Sequence, residues 1–237
     1  RSRLSTTCRQ EAPIRGRTEV GKNAKRVDCA MNRHERRIAN KRGSQTQGTP
    51  STVSAMLQAA IGFHQQGHLA DAERLYKQAL EIDVNNADAL HLLGVIAFQT
   101  GRNQEAVHLI GRALERDIKA PQYHNNYANA LKNLGRLKEA QKHYERAIAL
   151  EPNYSDALSN LSGILNDLNN PREAELQARR ALAIADSHTG AHNNLGISLF
   201  NQGKFDEAAA CYDRAIALNP RSIDAYINLG NLNIKRG

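Results

Sequence analysis

Tryptophan is absent from this sequence of 237 residues, cysteine occurs three times, and aromatic residues make up only 5%. Cys8, Cys29 and Cys211 lie far apart and form no Cys-x-x-Cys spacing. A disulfide framework and a thiolate metal site therefore have nothing to build on, and a reducing, cytoplasmic setting is expected. No apolar run approaches the roughly 20 residues that a membrane-crossing helix needs. The opening Arg1-Ser-Arg-Leu-Ser also lacks the apolar centre of a signal peptide. No glycine-rich loop follows a strand pattern, and no strand pattern is present.

Charge is unevenly spread. The net charge is +8, yet residues 1–50 alone hold 13 Lys/Arg against 4 Asp/Glu, and the remainder holds 19 against 20. The basic character thus belongs to the N-terminal segment, read as a disordered tail closed by the linker Gly43-Ser-Gln-Thr-Gln-Gly-Thr-Pro50. A basic arm of this kind can bind nucleic acid or an anionic surface. Its lack of any aromatic residue for base stacking argues against that use. Met31 opens Met-Asn-Arg-His-Glu-Arg-Arg, which leads to the expectation that residues 1–30 lie upstream of the native product.

What is present in quantity is repetition. Ala72, Ala106, Ala140, Ala174 and Ala208 are spaced 34 apart, as are Ala79, Ala113, Ala147, Ala181 and Ala215. A fixed period of this length marks stacked supersecondary units. Each unit carries two helical patterns. In the third, Tyr127, Ala128 and Leu131 share one face of a helix over about residues 122–134. Gly67, Gly101, Gly135 and Gly203 open the turns, and Asn169 takes that place in the fourth unit. Second helices are expected at about 69–82, 103–116, 137–150, 171–184 and 205–218. Asn170-Pro171-Arg172-Glu173 reads as a cap, a first-turn proline and a glutamate reaching back. Pro152 and Pro220 end two second helices, whereas Val84, Ile118 and Asp186 should leave softer ends.

These residues resemble the tetratricopeptide repeat family over residues 53–237. The resemblance implies an all-α, right-handed solenoid of helix-turn-helix repeats at 53–86, 87–120, 121–154, 155–188 and 189–222. Residues 223–237 would be the first helix of a truncated sixth repeat, so the chain reads as a fragment of a longer protein. The slot that the family often fills with tryptophan holds Met56, Leu90, His124, Leu158, His192 and Tyr226.

One constellation stands out against the scaffold. Asn126, Asn160, Asn194 and Asn228 occupy one position of four successive first helices, and Asn129 and Asn231 follow one turn later in two of them. First helices line the concave side in the family, so these amides would form a ladder along the groove. A carboxamide both donates and accepts, as a peptide main chain does. The ladder looks like that of O-GlcNAc transferase and its bacterial relatives, where it holds protein substrate ahead of a glycosyltransferase domain. Gln58 and Leu92 break it in the first two units. Family members that clamp a C-terminal carboxylate place cations where Asn125, Gly190 and Asn194 stand; only Asn129 and Asn160 agree, so that mode is set aside.

Nothing points to catalysis within the segment. The nine histidines form no His-Glu-x-x-His pattern, and His188 and His192 have no carboxylate or thiol at a ligand spacing. No cofactor, metal or small-molecule substrate is expected. The reading is a scaffold that binds a protein or extended peptide through Asn126, Asn129, Asn160, Asn194, Asn228 and Asn231. Its alternative is the substrate-selecting arm of a glycosyltransferase whose catalytic half lies beyond Gly237. A scaffold selecting partners by shape through Phe98, Ile197 and Phe200 is a further version. Because small residues let the helices approach, Ala147→Leu should destabilise the array by about 1–3 kcal/mol, measured as a lowered urea midpoint of the helical circular dichroism signal.

Overall fold

A computed structural model describes residues 50–236, which belong to one unit spanning residues 48–237. The basic tail, its expected disorder and the nucleic-acid reading attached to it lie outside the described residues. Eleven α-helices and no strand occur among the described residues. They are α1 (Pro50–Gln65), α2 (Leu69–Ile82), α3 (Ala87–Gln99), α4 (Asn103–Arg116), α5 (Pro121–Asn133) and α6 (Leu137–Leu150). There follow α7 (Ser155–Asp167), α8 (Pro171–Ile184), α9 (Thr189–Asn201), α10 (Phe205–Leu218) and α11 (Ile223–Arg236). Each helix touches the next, and first helices from α3 onward also touch the first helix of the following unit. That contact pattern is a solenoid in which each repeat rests on its neighbours.

Both alanine series are fully buried. The turn inside each repeat follows the expected chemistry. Gly67, Gly101, Gly135 and Gly203 have φ of 73 to 80°, and Asn169 has φ 58°. The residue after each of them returns an N–H to the carbonyl five positions earlier, as in His68 to Phe63 at 2.9 Å and Asn170 to Leu165 at 2.8 Å. This double-bonded ending satisfies carbonyls that a helix terminus otherwise leaves open.

Two local expectations are corrected. Asn170 stands at the N-cap of α8, but its side chain makes no capping bond, and the Glu173 carboxylate accepts from Gln177 at 2.5 Å instead of reaching back. Pro171 at the first helical position already removes one donor that a cap would serve. The softer ends also fail to appear, because all five second helices run 14 residues with or without a proline beyond them. Asp83, Asp117 and Asn219 each accept the N–H two residues on, from Asn85 at 3.3 Å, Lys119 at 2.9 Å and Arg221 at 3.0 Å, so this turn forms with or without a following proline. Such turns stop a helix through a local hydrogen bond.

Size complementarity holds the two helices of a repeat together. Gly94 on a first helix faces Ile110 on the second, 16 positions later, and Gly196 faces Tyr212. The same register pairs Ala60 with Tyr76, Ala128 with Tyr144 and Ser162 with Ala178. A methyl added at Gly94 would sit 2.5 Å from Ile110 Cγ1, and one added at Gly196 would overlap the Tyr212 ring. Where the second-helix residue shrinks to Ala178, Ser162 turns its hydroxyl to the Ala174 carbonyl at 2.8 Å. Ion pairs stitch another edge: Arg102 grips both oxygens of Glu73 at 2.7 and 3.2 Å, and Lys204 meets Glu175 at 3.0 Å. No second helix follows α11 among the described residues, and Tyr226 is 51% exposed where its equivalents Leu90, His124, Leu158 and His192 are buried.

Gly196→Ala should lower stability by about 1–2 kcal/mol, the overpacking cost less the usual gain for removing a helical glycine. Gly230→Ala, where an added methyl meets nothing within 4 Å, should instead be neutral or slightly stabilising. Urea unfolding of the two variants side by side checks the sign difference.

Candidate peptide-binding groove

The ladder position lies on the seam between successive first helices, and each of its four asparagines reaches back to the residue 35 positions earlier. Asn126 Nδ2 meets His91 Nε2 at 2.9 Å, and Asn160 Nδ2 donates to Asn125 Oδ1 at 3.1 Å. Asn194 Nδ2 donates to the Ser159 carbonyl at 2.9 Å, and Asn228 Nδ2 to Asn193 Oδ1 at 3.0 Å. The reach repeats because the same side chain at the same register meets the same neighbouring turn. The four are therefore in line, each half-buried and each fastened to the helix before it.

Asn129 and Asn231 do not join that row of bonds. Asn129 Oδ1 accepts from the Tyr144 hydroxyl at 2.6 Å, within its own repeat. Asn231 is exposed, on the last helix. At the broken end of the ladder Gln58 is exposed and Leu92 half-buried. The side-chain partners His91, Asn125 and Asn193 were missed in the sequence. Their signal was available as a polar residue just before the ladder position, whereas the Ser159 main-chain carbonyl leaves none.

Bonds then run on from helix to helix. Asn125 Nδ2 donates weakly to Asn126 Oδ1 at 3.4 Å, so Asn160, Asn125, Asn126 and His91 form one chain over three first helices. The His91 ring stacks on Tyr123 at 4.3 Å, and the Tyr123 hydroxyl donates to Asp88 Oδ1 at 2.5 Å. Beside Asn194, Gly163 leaves the seam without a side chain, and Lys132 pairs loosely with Asp167 at 3.8 Å. Phe98, Ile197 and Phe200 are half-buried along the same helices.

Histidine in the tryptophan slot takes on a donor's task. His124 Nε2 donates to the Ile118 carbonyl at 2.9 Å and His192 Nε2 to the Asp186 carbonyl at 2.8 Å, each six residues upstream. With Nε2 protonated, His124 Nδ1 is a bare acceptor and takes the Nδ1–H of His143 at 3.0 Å. His188 caps α9 by accepting the Ala191 N–H at 3.2 Å and meets Asp156 at 3.0 Å. Among the described residues, no three His, Cys, Asp or Glu side chains gather as metal ligands would. No helix there is long and apolar enough to cross a membrane. Cys211 is a free, half-buried thiol whose pKa burial raises.

Comparison with known proteins places the repeat. Tetratricopeptide repeat profiles match residues 85–151, 131–198 and 190–222, and a TPR repeat profile matches residues 63–101. The chain belongs to the tetratricopeptide repeat family. Solved tetratricopeptide repeat structures share its fold. One from Parabacteroides merdae aligns with TM-score 0.64 at 23% identity, covering 78% of this chain and 73% of that one. The thermophilic TPR protein TTC0263 of Thermus thermophilus aligns with TM-score 0.63 at 19% identity, covering 77% and 99%. YrrB, described as a TPR protein with an unusual peptide-binding site, aligns with TM-score 0.61 at 21% identity, covering 79% and 95%. No curated protein matches the sequence.

The buried rings give the tetratricopeptide array a pH dependence. Burial pushes His91 down to about 4, against some opposition from Asp88. His143 is held at about 4 as well, by burial first and by the facing His124 second. In the unfolded chain both protonate near pH 6.5, so between about 6.5 and 4 the unfolded state binds more protons. Stability is then complete above that window and falls as acid is added. The urea midpoint should drop from about pH 7 to about pH 4, and His91→Gln with His143→Gln should flatten that slope.

Proposed function

We propose that the array binds an extended protein segment along the seam of its first helices, with the ladder asparagines meeting the partner's main chain. The observation that carries this reading is the alignment of Asn126, Asn160, Asn194 and Asn228 in one half-buried row, each steadied by a bond to the preceding helix. A side chain already held in place loses little further freedom when a partner arrives, which lowers the entropic cost of binding. Asn231 extends the row on its exposed end, while Asn129 acts by buttressing Tyr144 behind it. Membership of a family built for protein interaction supports a scaffold role.

Each amide adds a net ~0.5–1.5 kcal/mol, or ~2–6 for four, before the segment is immobilised. The expected affinity is micromolar to millimolar, as suits a transient partner.

Asn160→Ala with Asn194→Ala should weaken binding of a capped, uncharged peptide at least severalfold while helicity is retained. Fluorescence anisotropy with a labelled peptide, alongside circular dichroism of the same samples, reads both quantities. Unchanged affinity in variants that stay folded but melt earlier would reduce the asparagines to fasteners.

A further inference from the structure

The orientation of the ladder amides and their spacing constrain the partner's shape. The Ser159 carbonyl can only accept, so Asn194 must turn its NH2 toward the preceding helix. Asn160 and Asn228 sit in the same register and are turned the same way. In each, one N–H is spent and the Oδ1 takes no bond from a described residue. The row therefore offers a partner three aligned carbonyl oxygens, and these call for N–H donors.

Spacing decides which conformation supplies them. Successive first helices are in direct contact, which sets their axes about 8–10 Å apart. A β-strand presents like-facing N–H groups every ~6.6–6.8 Å and falls out of phase after a single step. A polyproline II helix turns once in three residues at about 3.1 Å each, so its like-facing N–H groups recur every ~9.3 Å. That conformation has no internal hydrogen bonds, and all its donors are free.

We propose that the row of Asn160, Asn194 and Asn228 takes a segment in polyproline II conformation, every third residue donating its backbone N–H to a ladder oxygen. The residues between need no donor and suit proline. Helix α9 carries no Asp, Glu, Lys or Arg, and its Ile197 and Phe200 offer half-buried apolar surface for proline rings. Aromatic and apolar grooves are the usual seat of such ligands. The partner is thus an uncharged, proline-rich stretch broken by one non-proline residue in three. This inference rests on the groove reading given above.

The test compares capped peptides of equal length on the full chain: one repeating Pro-Pro-Ala, one repeating Pro-Ala, one of proline alone, and one repeating Gly-Ser. Pro-Pro-Ala should bind about tenfold more tightly than proline alone and more tightly than Pro-Ala, whose donors coincide with the ladder half as often. Asn160→Ala with Asn194→Ala should erase that advantage, and Asn228→Ala, on the last helix, serves as a second variant if the double one unfolds. Pro-Ala equal to or better than Pro-Pro-Ala overturns the spacing. Gly-Ser binding best, and in a ladder-dependent way, overturns polyproline II but leaves the main-chain reading standing. Indifference of every peptide to all these substitutions removes both.

Discussion

Close approach of helices at small residues is the constraint on which the rest of this structure depends. The alanines at two positions of each second helix are fully buried. A larger side chain there would spread the helices beyond the usual 8–10 Å between axes. An asparagine side chain is short, and its amide spans from one first helix to the next only because that distance is kept. The 3 Å bonds of the ladder are thus a consequence of packing behind the groove. Hydrophobic burial supplies most of the stacking energy, and the amides set the register at which it is collected.

The same economy governs polar groups inside the array. Tyr144 finds Asn129 for its hydroxyl at 2.6 Å, but Tyr76, at the same place in the first repeat where Ile61 stands at the asparagine's position, keeps a buried hydroxyl without a partner. An unmet buried donor costs about 1–3 kcal/mol, so Asn129 has a structural reason to be asparagine independent of any ligand. That reading separates it from the ladder, although both share a helix face. Histidine in the tryptophan slot follows similar logic. Its ring nitrogen holds a loop carbonyl as an indole N–H could, and in the third repeat its second nitrogen engages His143. Protonation of His124 Nδ1 on acidification would remove the acceptor of that contact.

The architecture was readable because a repeat offers the same answer several times. One alanine proves nothing, but alanines recurring at 34 residues leave a single packing solution, and the glycine turns follow from backbone geometry alone. Local endings were harder. Whether Asn170 caps its helix depends on a rotamer, and whether a helix stops at Asp83 depends on a side chain folding back by two residues. Neither is periodic, so repetition gave no help. The ladder was visible as a column of asparagines, yet its inner partners were not, because the reach of 35 residues pairs neighbouring columns rather than one column with itself. A search for polar residues one place before each ladder position would have found the three side-chain partners, His91, Asn125 and Asn193.

Fastening and binding are often set against each other as explanations of a buried amide, but under the proposed main-chain mode they become parts of one function. An amide free to rotate would turn either end to a partner and would discriminate little. Once its NH2 is held by the helix behind, the carbonyl end points one way, and the row acquires polarity. Polarity converts a surface of generic hydrogen-bonding groups into one that responds to the direction and spacing of donors. The absence of charged side chains from α9 strengthens that response, since an ion pair would dominate affinity without reading spacing. In the proposed mode, specificity would arise from the pitch of the partner's backbone more than from its side chains, and it would be set by the distance at which alanine allows two helices to meet.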